Sequence, residues 1–265
     1  MLQRIEVGGG LALAVRDEGR ADGDPLLLIH GITEDHRAWD ELVPALARDA
    51  RVIRVDLPGH GASSPLAAYS AAALAAPVAE LVGVLKLDRP HVIGHSLGGL
   101  LATLLGALVP VRSIVNVDQS LRLGPFIERV RAVAPRLRGP EFSDALNAEM
   151  ESLGGSRLPV RVRDELRAYR VEARRRVVLD LWLPLLDTNE EAVAATFSPL
   201  LREIRAPYLS LHGDDPGPGY DAWLRALIPA ARVEIWDGLG HWLHRVEPAR
   251  FLARVREFAR ESART

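Results

Sequence analysis

Gly94-His-Ser-Leu-Gly98 is the stretch of this chain whose residue types and spacing could do chemistry. It sits between an apolar run and a helix-forming run. A strand that reverses sharply into a helix forces the residue at the turn, Ser96, into a strained backbone conformation. Positions 94 and 98 then crowd one another and must be small. Such a turn holds a hydroxyl above a sheet, with the unpaired N–H groups and partial positive charge of a helix N-terminus beneath it. A serine hydroxyl becomes a useful nucleophile only when a base removes its proton and a third group orients that base. The base is expected late in the chain, after the last strand. His241 is there, in a loop made free by Gly238 and Gly240, and it is preferred to His244, which is expected to pack or cap. For the third group, Asp214 and Asp215 follow one strand and Asp118 ends another. The oxyanion formed by attack needs two N–H donors. Leu97 is one candidate and Ile32, after His30-Gly31, is the other; losing such a donor costs about 10²–10³ in rate.

Those residues need a scaffold that brings them together. Residues 2–7 and 11–17 read as a hairpin joined at three glycines. The run Pro25-Leu-Leu-Leu-Ile29 reads as a strand buried on both faces. Further strands are expected at 51–57, before Ser96, at 111–118, 206–213 and 232–236. Helices are expected at 38–48, at 67–87 with a kink or break at Pro77, after Ser96, at 220–228 and from Pro248 onward. Strands alternating with helices imply a doubly wound, mostly parallel α/β sheet, whose sites gather at the carboxyl ends of the strands. Between 121 and 200 no strand is expected. Helical patterns at 125–134, 141–153, 160–175 and 177–187, with a stripe of Val162, Leu166, Tyr169, Ala173 and Val177, read as an all-helical insert. The expected division is a core of residues 1–120 and 201–265 and a cap of residues 121–200.

The chain has 265 residues, enough for a full core. Its 33 basic and 35 acidic residues leave a net charge of −2, which gives no ground for nucleic acid or an anionic membrane as partner. There is no cysteine, so disulfides, thiolate catalysis and cysteine-held metals are excluded. No window is long and apolar enough to span a bilayer, and the first residues do not form a signal segment. The expectation is a cytoplasmic protein acting on a small molecule, with no metal and no cofactor. Its oligomeric state is not readable.

His30-Gly31, Asp56-Leu-Pro-Gly-His-Gly-Ala-Ser63, Gly94-His-Ser-Leu-Gly-Gly99 and Gly240-His241, in that order, resemble the α/β-hydrolase fold superfamily. The resemblance spans nearly the whole chain outside the insert. It implies Ser96 as nucleophile, His241 as base, Ile32 and Leu97 as oxyanion donors, and the insert as a cap over the site. It places the acid three residues after Gly213, where this chain has Pro216. Asp215 stands one residue early and is taken first, with Asp118 as the alternative. Phe126, Trp182, Leu183 and Trp242 are pocket candidates. Asp56 is expected to brace its own loop, His30 to shape the oxyanion loop, His95 to pack beside Ser96, His36 to lie exposed at a helix start, and Arg174-Arg175-Arg176 to be a solvated face. The implied activity is cleavage of a small or medium carboxylic ester. Lactone, thioester or carbon–carbon bond hydrolysis, perhydrolysis, and a non-catalytic ligand sensor are the alternatives.

Overall fold

In the computed structural model, which describes residues 1–171 and 175–263, eight strands form one sheet in the order β1-β2-β4-β3-β5-β6-β7-β8. The chain runs β1 (Leu2–Val7), β2 (Leu11–Gly19), β3 (Asp24–Ile29), α1 (Val43–Leu46), β4 (Ala50–Val55), α2 (Ala71–Val84), β5 (His91–His95), α3 (Leu97–Leu108) and β6 (Ser113–Val117). Five helices follow: α4 (Gly124–Arg138), α5 (Phe142–Ser152), α6 (Val160–Val171), α7 (Arg175–Trp182) and α8 (Glu190–Leu201). Then come β7 (Tyr208–His212), α9 (Tyr220–Leu227), β8 (Ala231–Ile235), α10 (Leu243–Val246) and α11 (Pro248–Ser262). β1 and β2 pair antiparallel, as does β2 with β4; every pairing from β4 through β3, β5, β6 and β7 to β8 is parallel.

The apolar runs explain the parallel layers. Successive side chains of a strand point to opposite faces, so a strand covered on both faces must be apolar throughout. Leu27 and Ile29 of β3 join Val92 and Ile114 on one face, under Leu74, Val78 and Leu81 of α2 and Leu101 and Leu105 of α3. Leu26 and Leu28 join Ile93, Val115 and Val117 on the other, against Val43 and Leu46 of α1 and Phe251, Val255 and Phe258 of α11. Each such aliphatic side chain, withdrawn from water, contributes about 1.5–3 kcal/mol.

Two local expectations differ from the structure. The helix expected over 38–48 is a 3-10 turn at His36–Trp39 and the single turn α1, with Pro44 at its start. Proline lacks the N–H a continuous helix needs, so it opens a new turn instead. Pro77, by contrast, does not divide α2, which runs through it from Ala71 to Val84. Ser70 caps that helix by accepting from the Ala73 N–H at 3.1 Å, and the buried face of α2 keeps it folded across the missing bond. No strand lies between β6 and β7 among the described residues. Val162, Leu166 and Val177 of the expected stripe are buried; Ala173 and Arg174 fall outside the described residues. Arg175 and Arg176 are exposed.

Candidate active site

Register sets the first relation. His95 and Val117 are partners across β5 and β6, so the residues that follow them, Ser96 and Asp118, leave the carboxyl edge side by side. The Ser96 N–H donates to the Val117 carbonyl at 2.9 Å. Both residues turn with positive φ, 52° at Ser96 and 54° at Asp118, a conformation non-glycine residues adopt only at a cost of about 1–3 kcal/mol. At Ser96 the strain is permitted by its glycines. A Cβ on Gly94 would sit 1.9 Å from the Gly98 carbonyl oxygen, and one on Gly98 would sit 2.2 Å from that of Ile29. Leu97 is the first residue of α3, so its N–H is among those a helix leaves unpaired.

His241 meets Asp118. Its Nδ1 lies 2.6 Å from Asp118 Oδ2, while Asp118 Oδ1 accepts from the Gly213 N–H at 2.7 Å. This corrects the expectation that Asp215 would stand against His241. Asp215 is exposed, and its Oδ1 accepts from the Gly217 N–H at 2.8 Å. Asp214 turns outward to Arg157 at 2.9 Å. The cause is backbone packing. The Leu239 and Gly240 N–H groups both donate to the Gly213 carbonyl, at 3.0 and 3.2 Å. A Cβ on Gly213 would lie 1.9 Å from Gly240 O. The turn after β7 is therefore pressed against the loop of His241, and the carboxylate that meets His241 comes from the end of β6.

Burial works against the charge on Asp118, but the His241 hydrogen bond, the nearby His241 and His212 rings and the Gly213 N–H outweigh it and hold the carboxyl below its usual range. Burial also lowers the pKa of His241, and the Asp118 hydrogen bond only partly offsets this. The His241 N–H donates to Leu153 O at 2.9 Å, so the segment after α5 helps hold the loop of His241. Further ties from the helical segment to the sheet side are Glu165–Arg245 at 3.0 Å and Asp180 accepting from the Tyr69 N–H at 3.2 Å.

On the other side of Ser96, His30 shapes its loop. Its Nδ1 donates to Gly31 O at 2.7 Å and its Nε2 accepts from the Leu57 N–H at 3.0 Å. Ile32 is buried, and Thr33 beside it has φ 68°. Phe126 and Trp182 meet edge to face at 5.4 Å; Leu183 is half-buried. Trp242 is buried, with its indole N–H donating to Glu34 at 2.9 Å. His244 is buried.

The expectation that His36 lies exposed is overturned. His36 is buried, and its Nδ1 and N–H both donate to Asp56 Oδ1, at 2.7 and 2.8 Å. Asp56 Oδ2 accepts from Ala62 N–H at 2.9 Å. Asp35, His36 and Asp56 bring one donor atom each within 4.8 Å, a metal-like grouping. His36 and Asp56 already serve one another and Asp35 pairs with Arg37, so the group braces two loops.

Two buried polar residues near the site were not singled out from sequence. His212 ends β7 with Nδ1 3.9 Å from Asp118 Oδ1 and Nε2 2.8 Å from Ser210 Oγ. Glu34 lies under the oxyanion loop. The signal for Glu34 was present, a carboxylate three residues after Gly31 in a tight turn, but nothing local says it points inward.

Residues 26–255 match the family model described as "Alpha/beta hydrolase family". A relative in Bacillus subtilis (strain 168), provisionally named 2-succinyl-6-hydroxy-2,4-cyclohexadiene-1-carboxylate synthase, is 28% identical over 96% of this chain and 97% of its own. A solved hydrolase from Pseudomonas aeruginosa PA01 superposes with TM-score 0.79 at 27% identity, covering 97% of each chain. A thermophilic esterase from Thermogutta terrifontis shares the fold, with TM-score 0.78 at 24% identity over 98% of this chain and 99% of its own.

Proposed function

Because the chain belongs to the alpha/beta hydrolase family, we propose that it is a serine hydrolase that cleaves a small or medium carboxylic ester through an acyl-enzyme on Ser96. The observation that carries this reading is the 2.6 Å contact between His241 Nδ1 and Asp118 Oδ2, beside a serine held in a strained turn. An ionised carboxylate on Nδ1 keeps a proton there, which leaves Nε2 with a lone pair to act as base.

Ser96 Oγ attacks the ester carbonyl as His241 takes its proton. The Leu97 and Ile32 N–H groups receive the oxyanion. His241 then protonates the leaving alcohol, the acyl group remains on Ser96, and water repeats the steps to release the acid. Asp118 stabilises the imidazolium without itself taking the proton. In this reading the helices of residues 121–200 cover the site, with Phe126 and Trp182 among the side chains that meet the acyl or alcohol group.

The test is a fluorophosphonate probe together with a panel of chromogenic esters of varied acyl length. The expected result is rapid labelling that disappears in Ser96→Ala, together with loss of ester turnover by roughly 10⁴-fold or more. Unchanged turnover in Ser96→Ala overturns the assignment.

A second reading has its own support in the full-length relative named as a synthase. In that reading the chain is a synthase and not an ester hydrolase. Ser96 would still take the probe, but no ester of the panel would be hydrolysed.

A further inference from the structure

The reaction above uses one carboxylate–imidazole pair. A second lies directly behind it, with the ring of His95 centred 4.7 Å from that of His241. His95 is 1% exposed and Glu34 5%. Glu34 receives hydrogen bonds from three separate parts of the site. The Gly31 N–H of the oxyanion loop donates to Oε2 at 2.9 Å, the Trp242 indole N–H beside the base donates to Oε1 at 2.9 Å, and His95 Nδ1 lies 3.3 Å from Oε2. The other nitrogen of His95, Nε2, lies 2.9 Å from the main-chain carbonyl oxygen of His241.

A carbonyl oxygen only accepts, and so does an ionised carboxylate. Both nitrogens of His95 therefore face acceptors, and the arrangement is satisfied when the ring carries two protons and Glu34 is ionised. Burial opposes charge on Glu34, yet the charge and hydrogen bond of His95 and the bond from Trp242 outweigh it and hold the carboxyl well below its usual range. The other ionisable groups around the pair are Asp118 and His212 beyond His241, His244 at 4.5 Å ring to ring from His95, and Arg245 beside it. Burial lowers the pKa of His244 well below its ordinary value, and among the described residues neither of its ring nitrogens has a hydrogen-bond partner.

We propose that Glu34 and His95 form a buried, charged positioning pair that locks the main chain of the base to the oxyanion loop. The proposal rests on the serine hydrolase reading. Asp118 grips the ring of His241, while His95 grips its backbone, and Glu34 joins that grip to Gly31 and Trp242. Two loops and the end of β5 that converge on Ser96 are held by one carboxylate.

Glu34→Gln keeps the size but turns one acceptor oxygen into a donor, so at least one of the three donors loses its partner. Misplacing catalytic groups by about 1 Å costs roughly 100-fold. The expected result is a kcat lowered between about 10- and 100-fold with KM nearly unchanged. His95 returns to a single proton, which removes a positive charge beside His241. The acid limb of the kcat/KM profile then moves to higher pH, the loss of the more distant Glu34 charge opposing this only in part. Histidine 15N NMR of the wild type at neutral pH is expected to show both His95 nitrogens protonated, and Glu34→Gln to show one. A neutral His95 in the wild type overturns the proposal, as does a Glu34→Gln protein with wild-type kcat and an unmoved acid limb. If that variant does not fold, Trp242→Phe removes a single donor to Glu34 and carries the kinetic comparison, while the wild-type spectrum decides the charge. Failure of wild-type Ser96 to react with a fluorophosphonate defeats the hydrolase reading itself; a reactive Ser96 beside a neutral His95 defeats only the pair.

Discussion

The turns after β6 and β7 both carry carboxylates to the same edge of the sheet, yet only one reaches His241. After β6 the chain turns at once, with Asp118 in a left-handed conformation beside Ser96, and its two oxygens engage Gly213 and His241. After β7 the turn lies against the base loop, backbone to backbone, and its two aspartates face outward. A strand end is not sufficient to place a catalytic acid. The side chain needs open space toward the base, and the contact of Gly213 with Gly240 removes that space.

The comparison breaks most sharply on a pair of amide substitutions. Asp118→Asn is expected to lower kcat by about 10⁴-fold, since Asn can donate to Nδ1 and favour the wrong tautomer. Asp215→Asn should stay close to wild type in the same assay. The reverse ranking would return the acid to the turn after β7. A smaller effect is expected of Gly213→Ala. Its Cβ would meet Gly240 O at 1.9 Å, so the base loop must shift, and kcat should fall between about 10- and 100-fold; an unaffected rate would show that the contact does not position His241. Smaller again is the pH effect. His241 must be neutral to act, and burial lowers its pKa below the ordinary imidazole value of about 6.5. The acid limb of wild-type kcat/KM is therefore expected below pH 6.5, where the neutral fraction begins to fall. Removing the Asp118 charge should move that limb lower still, and Asp215→Asn should leave it in place.

Much of the site was legible because it is local. Gly94, Ser96 and Gly98 fall within one turn, so the crowding of 94 on 98 follows from chain geometry alone. The apolar runs at 25–29 and 91–95 announce strands covered on both faces because the period of a strand is two. The preference for His241 over His244 rests on the glycines that flank it; His244 is buried. Pro77 shows the limit of such reasoning. A proline weakens a helix locally, but the packing of Leu74, Val78 and Leu81 on the sheet is a tertiary term that outweighs it.

What the sequence by itself determined is the strained turn at Ser96, the strand order along the chain and the glycine-flanked loop of His241, all products of residues near one another in the chain. Only the tertiary structure decided which carboxylate meets His241, that His36 turns inward to Asp56, and that Glu34, His95 and Trp242 join two loops to the end of β5. Those contacts span separations as long as the 208 residues between Glu34 and Trp242. The physical reason is that a loop's direction depends on what it packs against, and a backbone contact such as Gly213 on Gly240 forms only after both strands are in the sheet.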